Sequence, residues 1–205
     1  MSTKIPKERY YICFMKILLV IATSNEIQQE RFSNEILITG VGMMNTAVSL
    51  TQKLSSTAYD LVINLGIAGA FNKDLKVGDV VEVTEEKISE IGYQDGDSFF
   101  EFTDFKIKTD FKNKSLTDLK KVKSITVNTV HGNKESIAQT IKRLNPDIEN
   151  MEGAAVFKVC NFFNTPCIQL RSISNYVEKR NKKKWNIPLA IQNLNFEVER
   201  IISRL

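Results

Sequence analysis

The sequence predicts an α/β domain, and two patterns carry that prediction. Short β-branched apolar runs alternate along the chain with segments of helical periodicity. The runs are continuous instead of alternating with polar residues, as expected of strands covered on both faces. The length of 205 residues sets the scale: enough for one domain with a real core, too few for two comfortable ones.

The elements follow in order. Residues 10–22, YYICFMKILLVIA, come after Lys4, Lys7 and Arg9 and have the outward form of a signal peptide. Lys16 breaks the apolar run and Thr23-Ser24-Asn25-Glu26 is a poor cleavage site. The run is also too short to span a membrane. Residues 16–22 are therefore read as the first buried strand, and 1–14 as an N-terminal extension whose order the sequence leaves open. A single domain spans 15–205. Further strands are expected at 36–39, 61–65, 80–83, 125–127 and 167–171. Ala47, Leu50 and Leu54 share one helical face, and so do Ile137, Ile141 and Leu144. The last stretch carries a longer stripe, Ile187, Ile191, Leu194, Val198, Ile201 and Leu205, read as a packing helix that closes the domain. Residues 84–120 are polar and rich in aromatics (Tyr93, Phe99, Phe100, Phe102, Phe105, Phe111) and read as an irregular, partly stranded excursion.

Composition narrows the classes. Hydrophobic residues at 42% and charged residues at 25% are ordinary for a soluble globular protein. Lys+Arg 28 against Asp+Glu 24 leaves a net charge of only +4, which argues against nucleic-acid binding. Cys13, Cys160 and Cys167 show neither metal-ligand spacing nor even pairing. They suit a reducing compartment, with unpaired thiols as core filler, and a cytoplasmic location is expected.

Candidate chemistry gathers where strands end, the place where open α/β sheets bind ligands. Strand one runs into Thr23-Ser24-Asn25-Glu26. Two glycine turns follow, Gly40-Val41-Gly42 and Gly66-Ile67-Ala68-Gly69, the second directly after a strand. Asn150-Met151-Glu152-Gly153-Ala154-Ala155 and Arg171-Ser172-Ile173-Ser174-Asn175 complete the set. Each has a structural alternative. Glu26 could start a helix, where its charge favours the dipole; glycine turns are common punctuation; Glu152 could open a helix and Asn175 could cap one. The four features GVG, GIAG, NMEGAA and RSISN, in this order, are harder to assign to structure alone.

ITGVGMMNTAVSL, VINLGIAGAF, LKVGDVVEV, NMEGAAVFKVC and RSISNYVEKRN resemble the nucleoside phosphorylase/nucleosidase family, in the family's order and over roughly residues 15–203. Within the family, the RSISN ending and the WNIPLAI stretch are most similar to futalosine hydrolase. The resemblance implies a three-layer αβα fold with a central mixed twisted sheet. It implies catalytic roles for Glu26, as the acid residue that activates water, and for Asn175, at the purine base. Met151 and Glu152 match the pair that packs under the ribose and binds its hydroxyls. Ala68, Gly69, Val130 and His131 complete the implied substrate contacts, the last two in a base-binding loop whose register the sequence leaves open. A lone histidine such as His131 is more often structural, and Lys179–Lys184 reads as a solvated loop.

The departure that matters is Asn175, which stands where adenine-specific nucleosidases have an aspartate. An amide cannot protonate purine N7, but its NH₂ can donate to N7 and to a 6-oxo group. That favours hypoxanthine, and so the hydrolysis of futalosine to hypoxanthine and dehypoxanthine futalosine on the futalosine route to menaquinone. No metal or cofactor is implied. The partners implied are a small nucleoside and water, with neither nucleic acid nor membrane, and a homodimer or higher homo-oligomer. The rivals are a purine nucleoside phosphorylase, a methylthioadenosine/adenosylhomocysteine nucleosidase, and a non-catalytic nucleoside- or nucleic-acid-binding protein. Glu26 argues against phosphorolysis because a carboxylate there repels phosphate. Glu26 and Glu152 together argue against simple binding.

Overall fold

Residues 15–205 are described by a computed structural model; the expected extension 1–14, with Cys13, lies outside the described residues. Ten strands form, in chain order, as β1 (Ile17–Ile21), β2 (Glu35–Ile38), β3 (Leu61–Ala70), β4 (Val80–Ile88), β5 (Tyr93–Asp95), β6 (Ser98–Phe100), β7 (Asp110–Lys112), β8 (Lys120–Thr126), β9 (Ile148–Asn150) and β10 (Cys167–Tyr176). The helices are α1 (Met43–Ser56), α2 (Lys134–Leu144), α3 (Gly153–Phe163) and α4 (Ile187–Ile202).

Eight strands make one mixed sheet in the order β10-β4-β8-β9-β3-β1-β2, with β7 on the edge of β4. β10 also pairs with β3, so β3, β10, β4, β8 and β9 close into a ring. The continuous apolar runs are explained by what covers them. In β1, Leu18 and Val20 face a cluster with Leu50 and Leu54 of α1 and Val156, Phe157 and Cys160 of α3. Ile17, Leu19 and Ile21 face the other way, onto Leu194, Val198 and Ile201 of α4. This is the three-layer αβα arrangement that was expected, with a helix layer on each side of the mixed sheet.

Several expectations need correction. Gly66-Ile67-Ala68-Gly69 is no turn: β3 runs straight through it for ten residues, paired in parallel with an equally long β10. The apolar run stops at Leu65, but the backbone ladder does not. β9 escaped notice because it is only three residues long and ends in polar Asn150. In α2 the predicted Ile141 is exposed and Thr140 is buried; Leu205 lies beyond the end of α4 and is exposed. In the 84–120 excursion, β5 and β6 form a separate hairpin, with Tyr93, Phe100, Phe102 and Phe105 exposed. Phe111 does the opposite. It is buried and stacks on Phe157 of α3 at 6.4 Å between centroids.

Phe111→Ala should therefore destabilise the fold by about 3–5 kcal/mol, seen as a lower urea midpoint with unchanged slope. Phe105→Ala, at a site 62% exposed, should stay within about 0.5 kcal/mol of wild type. Equal effects of the two would place the aromatic anchor elsewhere.

Candidate active site

A cavity of about 420 Å³ opens at the carboxyl ends of β1, β3 and β10, where parallel strands leave backbone groups and loops free for a ligand. All eight residues implied by the sequence face it: Glu26, Ala68, Gly69, Val130, His131, Met151, Glu152 and Asn175.

Glu26 ends a single 3-10 turn, Ser24–Glu26, that follows β1. Its Oε2 accepts hydrogen bonds from the backbone N–H and hydroxyl of Thr23, at 3.1 and 3.0 Å. This is a capping box, so the helix-start alternative is partly realised. The other oxygen is turned away from the turn. Oε1 accepts from Ile67 N on β3 at 3.3 Å and borders the cavity. Asn195, buried in the apolar stripe of α4, clamps this loop: its Nδ2 donates to Glu26 O at 3.1 Å and its Oδ1 accepts from Gln28 N at 2.8 Å. Nothing in the stripe's periodicity marks Asn195 out, except that a polar residue there breaks it.

Glu152 occupies the N-cap position of α3, yet its side chain makes no capping bond. The helix-start reading accounts for its place in the chain and not for its carboxylate. Oε1 accepts from Gly42 N at 3.1 Å, and Oε2 lies 3.7 Å from Arg171 Nη1. Gly42 has φ +94°, a backbone region that glycine enters at no steric cost, and that geometry directs its N–H at the carboxylate.

Arg171 is the functional residue that the sequence reading passed over, although it opens the RSISN motif. Its guanidinium is buried at 1% exposure. Nη2 donates to Asn64 Oδ1 at 2.9 Å and to Asn150 Oδ1 at 3.1 Å, while Nε has no partner. A Cβ on Gly66 would overlap Nη1 and sit 3.4 Å from Glu26 Oε1. The missing side chain at Gly66 is thus the space into which Arg171 and Glu26 both point. Its place in an apolar strand hid the signal, which was a charged residue directly following four buried strand residues.

Elsewhere on the cavity wall, Asn175 follows a register irregularity between Ile173 and Asn175 that brings it opposite Gly69. Its Oδ1 accepts from Ser174 Oγ at 2.8 Å, and its Nδ2 donates to Tyr176 O at 3.0 Å. One amide hydrogen is therefore committed to the backbone, and one, not the expected two, is left for a base. His131 is held from both sides: Nδ1 donates to Glu149 Oε2 at 2.5 Å and Nε2 pairs with Thr140 Oγ1 at 2.9 Å. With both nitrogens engaged, the ring is a wall of the cavity. Trp185, Ile187 and Ile191 close the apolar side, and Arg180 lies over the Trp185 ring at 5.1 Å.

Residues 35–203 match the model of the Phosphorylase superfamily. The chain belongs to that superfamily. A 5′-methylthioadenosine/S-adenosylhomocysteine nucleosidase from Psychromonas ingrahamii is 26% identical over 204 residues, covering 91% of this chain and 88% of the relative. A futalosine hydrolase from Thermus thermophilus is 26% identical over 180 residues, covering 82% and 80%. Among solved structures, a mutant of the Helicobacter pylori nucleosidase with 5′-methylthioadenosine in its active site superposes with a TM-score of 0.81 at 19% identity, covering 93% of this chain and 99% of that one. The chain is an enzyme of the nucleosidase type, an N-glycosyl hydrolase. No helix among the described residues is long and apolar enough to cross a membrane.

In this nucleosidase, Gly66→Ala should push the Arg171 guanidinium off Asn64 and Asn150. We expect kcat/KM for base release to fall by roughly 10²-fold with the far-ultraviolet circular dichroism unchanged. Activity within about threefold of wild type would mean that Arg171 has no part in the site's geometry.

Proposed function

We propose that this nucleosidase hydrolyses futalosine, releasing hypoxanthine and dehypoxanthine futalosine. The observation that carries the reading is an asparagine, Asn175, at the base end of a cavity whose other end holds two carboxylates. Water attacks the anomeric carbon and passes a proton to Glu26, while the electron pair of the C–N bond leaves with the base. The transition state resembles an oxocarbenium ion. Glu152, oriented by Gly42 and paired with Arg171, binds the ribose hydroxyls and stabilises the developing positive charge. Asn175 supplies no proton, so the base must leave well without one. Hypoxanthine does so better than adenine, because its 6-oxo group takes up the negative charge and accepts the remaining amide hydrogen.

A second reading, methylthioadenosine/adenosylhomocysteine hydrolysis, is favoured by the naming of several relatives of similar identity. Against it stands the absence of an acid at position 175. The enzyme is also proposed to be a homo-oligomer: Met44 and Val48, exposed at 80% and 65%, lie one turn apart on α1, the helix that follows Val41 of the cavity lining, and exposed apolar side chains of this kind are what a second copy covers.

Hydrolysis is tested by hypoxanthine release from futalosine in phosphate-free buffer, with no sugar phosphate formed. In the same assay Glu26→Gln should lose roughly 10²-fold or more in kcat. Strict dependence on phosphate would move the protein to the phosphorylases, and near-normal turnover by Glu26→Gln would remove the base.

The base preference has its own test. One neutral hydrogen bond, worth about 1 kcal/mol, predicts roughly five- to tenfold discrimination by wild type for 6-oxopurine nucleosides from this contact. Asn175→Asp should depress futalosine cleavage and raise relative kcat/KM on methylthioadenosine. If wild type already prefers the adenine nucleoside, or the ratio does not move, the futalosine assignment fails and the nucleosidase remains.

A further inference from the structure

Beneath the cavity, a carboxylate with no part in the proposed reaction holds the residues that have one. Glu86 on β4 is buried. Its Oε1 accepts a hydrogen bond from Thr126 Oγ1 at 3.0 Å. Its Oε2 accepts from Asn150 Nδ2 at 2.9 Å and from Gln169 Nε2 at 3.0 Å. Asn150 relays this contact to the site. With Nδ2 bound to the carboxylate, its Oδ1 is left to accept from Glu152 N at 2.9 Å, Gly153 N at 2.6 Å and Arg171 Nη2 at 3.1 Å. The packing leaves no slack: a Cβ on Gly153 would overlap both Glu86 Oε2 and Gln169 Oε1.

We infer that Glu86 is a positioning residue whose ionised carboxylate orients the Asn150 amide and so fixes Arg171 and the Glu152 backbone for turnover, and whose protonation releases them. The inference rests on the nucleosidase reading above. Thr126 faces Glu86 from β8, Asn150 from β9, Gln169 and Arg171 from β10, and the Gly153 backbone from α3; Arg171 is the charged group among them. Burial pushes the Glu86 carboxyl up to about 7, against the charge of Arg171 and the three hydrogen bonds, which pull it down. A second feature fits a group that gains a proton: Gln169 Oε1 is buried without a partner. Turning the Gln169 amide over would give that proton an acceptor, while the charge-assisted bond from Asn150 is weakened.

The direction with pH follows. Glu86 holds in the fold a proton that the unfolded chain releases near the ordinary value of 4.5. Its contribution to stability is full below that value and is lost as pH rises through about 7. Turnover runs the other way and rises over the same range as the carboxylate ionises.

The experiment follows kcat and KM for hypoxanthine release from futalosine, or adenine release from methylthioadenosine if that is what wild type cleaves, across roughly pH 5 to 8. Wild type, Glu86→Gln and Gln169→Leu are compared, with urea midpoints measured over the same range. Wild type should show an acid limb in kcat near neutral pH. Glu86→Gln should abolish that limb and lower kcat by roughly tenfold or more, with KM changed less than about threefold. Gln169→Leu removes a donor to the ionised form and should move the limb to higher pH. The wild-type urea midpoint should fall relative to Glu86→Gln as pH rises toward neutrality. A limb unmoved in both variants, or parallel midpoints, overturns the role; if Glu86→Gln does not fold, the shift in Gln169→Leu decides. A wild type inert on both nucleosides would remove the nucleosidase reading and this role with it, whereas an active wild type with an unmoved limb removes this role alone.

Discussion

A full positive charge buried in the middle of a sheet has to be held by its surroundings, and Arg171 is that charge. Removing a guanidinium from water costs several kcal/mol unless hydrogen bonds and an opposite charge replace the lost solvation. Asn64 and Asn150 take up Nη2 and Glu152 stands opposite Nη1. Each of these partners constrains something else. Asn150 accepts from the first N–H groups of α3, so the helix begins where Arg171 can be bonded. Gly66 must lack a side chain for the guanidinium to lie where it does. The site is built around a cation that sits below it.

The same arrangement answers an electrostatic problem. A reaction that develops positive charge on a sugar needs carboxylates close by, yet carboxylates crowded together repel and take up protons. Arg171 offsets the negative charge of Glu152 without filling the cavity, and Gly42 N adds a directed dipole. Glu26 is carried on a short turn, bonded through one oxygen to its own loop and through the other to β3. Glu26 is thus carried by a loop and Glu152 by a helix start fixed to the sheet. Asn195 of α4 ties the loop to the opposite layer, so both helix layers contribute to one geometry.

Much of this was legible along the chain. The strand-end motifs hold six of the eight candidate residues that border the cavity, Val130 and His131 being the other two, because ligand sites in such sheets must use the ends of strands and those ends are contiguous in sequence. The layers were legible for the same local reason: β1 and the early part of β3 are apolar on both faces, which only a doubly covered strand requires. What stayed hidden depended on pairing across the fold. Gly66–Gly69 looked like a turn because glycine is a local signal, whereas its strand conformation comes from the ladder to β10. His131 was implied as a substrate contact, although a lone histidine is more often structural, and the fold gives both its nitrogens to Glu149 and Thr140.

By itself the sequence determined the α/β class and the strands covered on both faces, and its motifs carry the resemblance to the family and the pair of glutamates that make a nucleosidase reading possible. These follow from periodicity and from short motifs, which are properties of neighbours along the chain. Only the tertiary structure decided that Arg171 is the buried partner of Glu152, that Glu86 stands behind Asn150, and that Asn175 has one hydrogen to offer a base. The first two are contacts between residues 19 and 64 positions apart, and the third is a hydrogen bond to the neighbouring backbone carbonyl. A hydrogen bond is used up only when its partner arrives, and partners are chosen by the fold.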